Sequence, residues 1–248
     1  MVIGSGKNSK RQLVTNCLLV FLSINCMKPT FFKKYLSYIT ELHLESAPSD
    51  INPHLYVSLK NGRYQLCTAN AVYSYADLYD NFSKTFEQLR GELKDNMNVL
   101  ILGFGLGSIP YMLEHLFGRR MYYTAVEIDE NIIYLADKYV LDELSSPIQL
   151  ICADAFAFVM QCQEQFDLIC MDVFLDDLVP PRFTSRHFLA QLKEIIAPEG
   201  RLLFNRLALS NEDLERTGRF FEQEFKTVFP EGSYLDVGGN WMLMNKSL

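Results

Sequence analysis

From residue 98 onward the chain alternates between short, continuous apolar runs and longer stretches with helical periodicity. The apolar runs are 98–102 (NVLIL), 121–127 (MYYTAVE), 148–152 (IQLIC), 167–172 (DLICMD) and 201–205 (RLLFN). Helix-like segments lie between and after them, near 107–117, 130–140, 154–162, 184–196 and 211–224. Strands that are apolar on both faces and separated by helices predict a mostly parallel, doubly wound α/β sheet covered on both sides. The final stretch, FKTVFPEGSYLDVGGNWMLMN, predicts further strands, with turns at Pro230–Gly232 and Gly238-Gly239.

Upstream the pattern changes. Residues 54–68, HLYVSLKNGRYQLCT, alternate apolar and polar positions around Asn61-Gly62, which predicts a β-hairpin. The next segment, YADLYDNFSKTFEQL, places Leu78, Phe82, Phe86 and Leu89 on one helical face. A small N-terminal β-hairpin and helix region over 31–90 is therefore expected before a Rossmann-like domain over 91–248. Residues 1–30 are expected to form a flexible or mis-assigned extension. Lys7, Lys10 and Arg11 precede LVTNCLLVFLSINC in the manner of a signal peptide, but Asn25 before Cys26 suits a cleavage site poorly. The run is short for a bilayer span, and Met27 is the alternative start.

Composition narrows the class. With 248 residues, 49% of them hydrophobic, the chain has ample material for a core. A net charge of −7 without a basic stripe argues against nucleic acid as a partner. Six cysteines occur without a CxxC pair, and no histidine sits at ligand spacing, so no metal is expected. A reduced, cytoplasmic protein without a membrane partner is the reading that follows.

The first β/α turn carries the candidate chemistry. Gly103-Phe104-Gly105-Leu106-Gly107 follows a strand and opens a helix, so Gly103, Gly105 and Gly107 are expected to bring backbone close to a ligand. A phosphate-gripping loop would continue with Lys and Ser or Thr. Here Ser108, Ile109 and Pro110 follow, which points to a nucleoside rather than a triphosphate. Glu127 ends the next strand, 24 residues after Gly103, near the spacing of about 20 at which an acid reaches ribose hydroxyls; the alternative is a surface acid at a strand end. Asp129 suits a helix N-cap. Asp154, ending the third strand, reads equally as an acceptor for an adenine amino group or as a helix cap.

Four segments, VLILGFGLG, VEIDENII, CADAFAFV and FDLICMDVF…VPPRFTSRHFLAQLKEIIAPEGRLLFN, resemble the spermidine synthase family in order and spacing. The resemblance covers about residues 50–245 and is nearest the divergent, spermidine synthase-like branch. It implies the class I S-adenosylmethionine-dependent transferase fold with a small N-terminal β element. The implied reaction moves an aminopropyl or other alkyl group to a small-molecule amine, as in polyamine biosynthesis. The donor would be decarboxylated S-adenosylmethionine or S-adenosylmethionine itself. A homodimer, common among polyamine synthases, is implied as well. The resemblance makes Asp172 the catalytic residue that takes a proton from the attacking amine. It also places Tyr75 and Asp77 in the amine pocket.

Two departures stand out. Family members share a GGGDGG loop whose Asp contacts the donor; Leu106 holds that position here. They also carry D-S/T-x-D-P after the fourth strand, and its second Asp aligns with Leu175. Asp176 serves as the substitute if the loop shifts by one residue. Two alternatives therefore stay open: an S-adenosylmethionine-dependent methyltransferase, and a catalytically inactive nucleoside-binding homologue. The loop 173–183, stiffened by Pro180-Pro181, is expected to lie over the site.

Overall fold

The computed structural model describes residues 12–15, 18–20, 27–68, 72–175 and 178–248, the first two stretches as backbone only. The expected leader-like run 13–26 thus lies largely outside the described residues. Within it, β1 (Gln12–Thr15) and β2 (Leu18–Val20) are short strands.

After α1 (Phe31–Leu36) come four strands: β3 (Leu42–Ser46), β4 (Tyr56–Lys60), β5 (Arg63–Cys67) and β6 (Val72–Ser74). They form an antiparallel sheet in chain order. The expected hairpin is β4–β5. Asn61 and Gly62 take φ 50° and 72°, the left-handed pair that a two-residue turn between twisted strands requires. α2 (Asp80–Gln88) follows and buries Phe82 and Phe86. Leu78, expected on the same face, is 41% exposed, because a separate 3-10 turn over Ala76–Leu78 precedes the helix.

The larger sheet contains β7 (Asn98–Leu102), β8 (Tyr122–Glu127), β9 (Ile148–Cys152), β10 (Phe166–Met171), β11 (Ile196–Leu207), β12 (Ser233–Asp236) and β13 (Asn240–Met244). Its order is β12-β13-β11-β10-β7-β8-β9-β1-β2. The run from β11 to β9 is parallel, and β13 and β12 return antiparallel at one edge. Intervening helices are α3 (Ser108–His115), α4 (Glu130–Tyr139), α5 (Ala155–Gln161), α6 (Arg186–Glu194) and α7 (Asn211–Phe220).

Period-two alternation explains why the central strand β7 is apolar at successive positions. In β7, Val99 and Ile101 face one core with α3 and α4, while Leu100 and Leu102 face another with α5, α6 and α7. The first core continues through Leu55, Val57, Leu59, Leu66, Phe82 and Phe86. The small N-terminal sheet therefore shares one apolar core with the large sheet across residue 90. Among the described residues, no helix is long and apolar enough to cross a membrane.

Candidate active site

The chain folds outward from β7 in both directions, through β8 and β9 on one side and through β10 and β11 on the other. The ends of β7 and β10 thus mark the switch point where open α/β sheets bind ligands. A cavity of about 740 Å3 opens there. Gly103 and Gly105 line it from the β7 end, Glu127 from β8, Asp172 from β10 and Asn205 from β11. Gly103 (φ 88°) and Gly105 (φ 55°) adopt left-handed backbone. The polypeptide from β6 to α2 contributes Tyr73, Tyr79 and Asn81 to the opposite wall. Val173, Phe174, Leu178, Arg182 and Phe183 also line the cavity, so the segment after β10 borders the site as expected.

Glu127 is 7% exposed and acts as a staple. Its Oε2 accepts from the backbone N–H groups of Phe104 and Gly105 at 3.1 and 3.3 Å. Its Oε1 accepts from Ile128 and Asp129 at 2.9 and 3.1 Å. Burial raises the carboxyl pKa, opposed by these backbone bonds. The carboxylate therefore holds the glycine loop against the end of β8, with the longer bonds at Oε2. Asp129 caps α4 through Asn131 N–H at 2.9 Å, as the sequence suggests. Its second oxygen accepts from Ser49 Oγ at 2.5 Å and Asn52 Nδ2 at 2.7 Å, which brings Asn52 into the cavity wall.

Asp172 follows β10 at the floor. Its Oδ1 accepts from Asn205 Nδ2 at 2.9 Å and Tyr79 Oη at 3.2 Å. Asn205 Oδ1 in turn accepts from Asn240 Nδ2 at 2.9 Å. Among the described residues, Asp172 Oδ2 has no hydrogen-bond donor. Burial pushes the Asp172 carboxyl up to about 6, against the opposing bonds from Asn205 and Tyr79. Burial and the Asp172 charge hold the Tyr79 hydroxyl well above its ordinary range. The result is a carboxylate that is ionised at neutral pH, oriented through one oxygen and open at the other.

A glycine loop against an acid-stapled strand, facing a half-buried carboxylate across the switch point, sets the geometry. The family model described as the spermine/spermidine synthase domain matches residues 88–235. The chain belongs to this family. Among curated relatives it is 30% identical to a probable polyamine aminopropyl transferase of Bifidobacterium longum over 120 residues, 48% of this chain and 26% of that one. It is 28% identical to the eEF1A lysine and N-terminal methyltransferase of Bos taurus over 124 residues, 46% of this chain and 18% of that one. The spermine/spermidine synthase-domain chain thus spans about a quarter or less of the length of these two relatives. Two solved structures share the fold. The spermidine synthase of Thermotoga maritima superposes with TM-score 0.62 at 15% identity, covering 82% of this chain and 72% of that one. Human methyltransferase-like protein 13, in complex with SAH, gives 0.55 at 23% identity, covering 68% and 82%.

Against this family frame, Gly103, Gly105, Glu127 and Asp172 converge on the cavity, and other expected site residues do not. Gly107 (φ 77°) is the residue before α3, where a Cβ would press on the Phe104 ring; its role is the turn. Asp154 caps α5 through Phe156 N–H at 2.8 Å and pairs with Arg182 Nη1 at 2.5 Å, so Arg182 lines the cavity in its place. Tyr75 leaves β6 with ψ 45°, and Ala76 takes φ 45°, so strand alternation stops before Tyr75 and its hydroxyl meets Asn61 Nδ2 at 2.9 Å instead. Asp77 is held by Arg63 through Nε and Nη2. Burial raises Asp77, but the Arg63 bonds more than offset that and leave its pKa lowered. Asp176 lies outside the described residues. Leu106, at the position of the family's loop acid, is 2% exposed within the apolar core.

Sequence reasoning missed the site roles of Asn205, Asn240 and Asn52. Asn205, at the polar end of the apolar run RLLFN, carried a usable signal: a strand carboxyl end in this fold points at the ligand. Asn52 and Asn240 carried none, because long-range folding alone brings them in.

Proposed function

We propose that this protein transfers an alkyl group, an aminopropyl group in the leading reading, from an S-adenosyl sulfonium donor to a small amine. The observation that carries it is the Asp172 carboxyl at the cavity floor, held through Oδ1 by Asn205 and Tyr79 and open at Oδ2, with burial pushing it up to about 6. An amine attacks only with its lone pair free. Asp172 holds the incoming ammonium by charge and hydrogen bonding, then accepts its proton. As the N–C bond forms, the C–S bond breaks, and the electron pair neutralises the sulfonium to a thioether. The donor's nucleoside lies along Gly103 and Gly105, its ribose hydroxyls sharing Glu127 Oε2 with the loop. Positioning the two reactants in line supplies much of the rate.

Family membership and the Bifidobacterium relative support the aminopropyl version. One observation favours a second reading, methyl transfer from S-adenosylmethionine. The loop acid is absent, and Leu106 is packed into the core rather than lining the large cavity.

Calorimetric titration with decarboxylated S-adenosylmethionine, S-adenosylmethionine and methylthioadenosine tests both, with turnover of the preferred donor on a diamine followed by mass spectrometry. Preference for the decarboxylated donor with an added aminopropyl mass supports the leading reading. Preference for the ordinary donor replaces it with methyl transfer. Binding of none of the three sinks the transferase reading.

A further inference from the structure

A second cavity, of about 410 Å3, shares the glycine loop with the first. Gly103 and Gly105 line the large cavity, whereas Leu106 lines this one, so a single loop forms part of both walls. Its remaining wall includes residues of α1 and the stretch before it, the β4–β5 turn, α3, and Val140 and Glu143 after α4.

The charge of this wall runs against that of the molecule. The chain as a whole carries −7. Here Lys28, Lys34 and Arg63 are among the lining residues, with Glu143 the one acidic residue among the described lining. Arg63 is fixed and neutralised by Asp77, with Nη2 to Oδ2 at 3.1 Å. Lys28 and Lys34 have no carboxylate partner among the described residues. His115 packs on the Tyr111 ring at 4.3 Å between centroids, which gives the pocket a rigid aromatic side. Lys28 and Lys34, both exposed residues of the pocket lining, bring two like charges without carboxylate partners to one concavity, and a cleft lined by one sign of charge concentrates their field. A bound dianion offsets both charges, and tetrahedral oxygens accept from lysines arriving at different angles.

We propose that this second cavity is a binding site for a phosphate group, separate from the transferase site. The group is either inorganic phosphate or the phosphate of a small monoester, and the two share the recognition chemistry.

Titration calorimetry on the full chain at low ionic strength tests it, with inorganic phosphate and glycerol 3-phosphate as separate probes. Glycerol 3-phosphate has no nucleoside, which distinguishes it from the donor proposed for the large cavity. The expected result is saturable 1:1 binding that weakens steeply with salt. The double variant Lys28→Ala/Lys34→Ala should weaken it at least about tenfold, through the loss of two charge-assisted contacts. Lys33→Ala, on the same helix but outside the cavity lining, should not. These lysines are exposed, so matching thermal melts are expected for all variants. Tighter binding of glycerol 3-phosphate supports a monoester site, and equal binding supports a free-phosphate site. Absence of saturable binding by both probes overturns the proposal, as does equal weakening by Lys33→Ala, which would reduce the effect to diffuse surface charge.

Discussion

Gly103 and Asp172 meet backbone to backbone at the switch point of the sheet: a Cβ at position 103 would overlap the Asp172 carbonyl oxygen. The glycine that follows β7 and the carboxylate that follows β10 therefore depend on one packing relationship. The neighbouring ladder reinforces it, with Asp172 N–H donating to Leu102 O at 2.8 Å and Gly103 N–H to Val126 O at 2.9 Å.

Gly103→Ala tests this contact. Alanine would have to take φ 88° and push against backbone that is pinned on both sides. Left-handed strain and overpacking each cost about 1–3 kcal/mol. We expect a loss of about 3 kcal/mol in urea unfolding, with donor binding lost in the remaining folded fraction. Unchanged stability would show that β7 and β10 can separate at their ends.

Asp172 makes the reaction pH-dependent in a specific direction. Its carboxyl titrates at about 6, so kcat/KM should fall below that pH, tenfold per unit at the limit. The Tyr79 hydrogen bond stabilises the carboxylate form. Tyr79→Phe removes it, so the midpoint should move upward. A pH–rate profile of both proteins reads this directly, and a midpoint that stays put or moves down would remove Tyr79 as a tuner of Asp172.

The same shift is a stability statement with the opposite benefit. Because the folded pKa lies above the ordinary value of 3.8, the folded state binds more protons than the unfolded state between about 4 and 6. The ionised carboxyl therefore costs stability, fully above the folded pKa and not at all below the unfolded one. Asp172→Asn should stabilise the fold by about 1 kcal/mol at pH 8, discounted for the carboxyl's opening to the cavity, and by nothing near pH 4. Activity should drop by about 10²–10⁴ in the same variant. Thermal melts at the two pH values, set beside turnover, separate this from a generally damaged protein.

How much of this could be read from residues alone follows from the range of the interactions involved. β7 and β9 keep the bounds that their apolar runs predict: β7 buries both faces, Val99 and Ile101 in one core and Leu100 and Leu102 in the other, while β9 buries one, through Ile148 and Leu150. β11 runs from Ile196 to Leu207, well beyond RLLFN, because β10 and β13 pair with it on both sides and carry the polar ends into the ladder. In the site, the glycine turn and Asp172 were legible, since each sits at a strand end beside its neighbour in the motif. Asp77 and Tyr75 were not. Their partners, Arg63 and Asn61, come from another strand and a turn of the small sheet, and no spacing along the chain announces those contacts.

Glu127 is where structure and ligand recognition are hardest to separate, and a conservative change distinguishes them. Glutamine keeps the shape but replaces one acceptor oxygen with an amide that can only donate. Whichever way it turns, it faces either the Phe104 and Gly105 N–H pair or the Ile128 and Asp129 pair with another donor. Leaving buried donors unpaired costs about 1–3 kcal/mol. Glu127→Gln should therefore lower stability by about 2 kcal/mol without any ligand present, and should also weaken methylthioadenosine binding by about tenfold or more. Unfolding curves and calorimetry on the same preparation report the two effects. A variant with native stability and lost binding would make Glu127 a ligand contact alone. A destabilised variant that binds normally would leave it the loop's staple and move ribose recognition to another residue of the cavity wall.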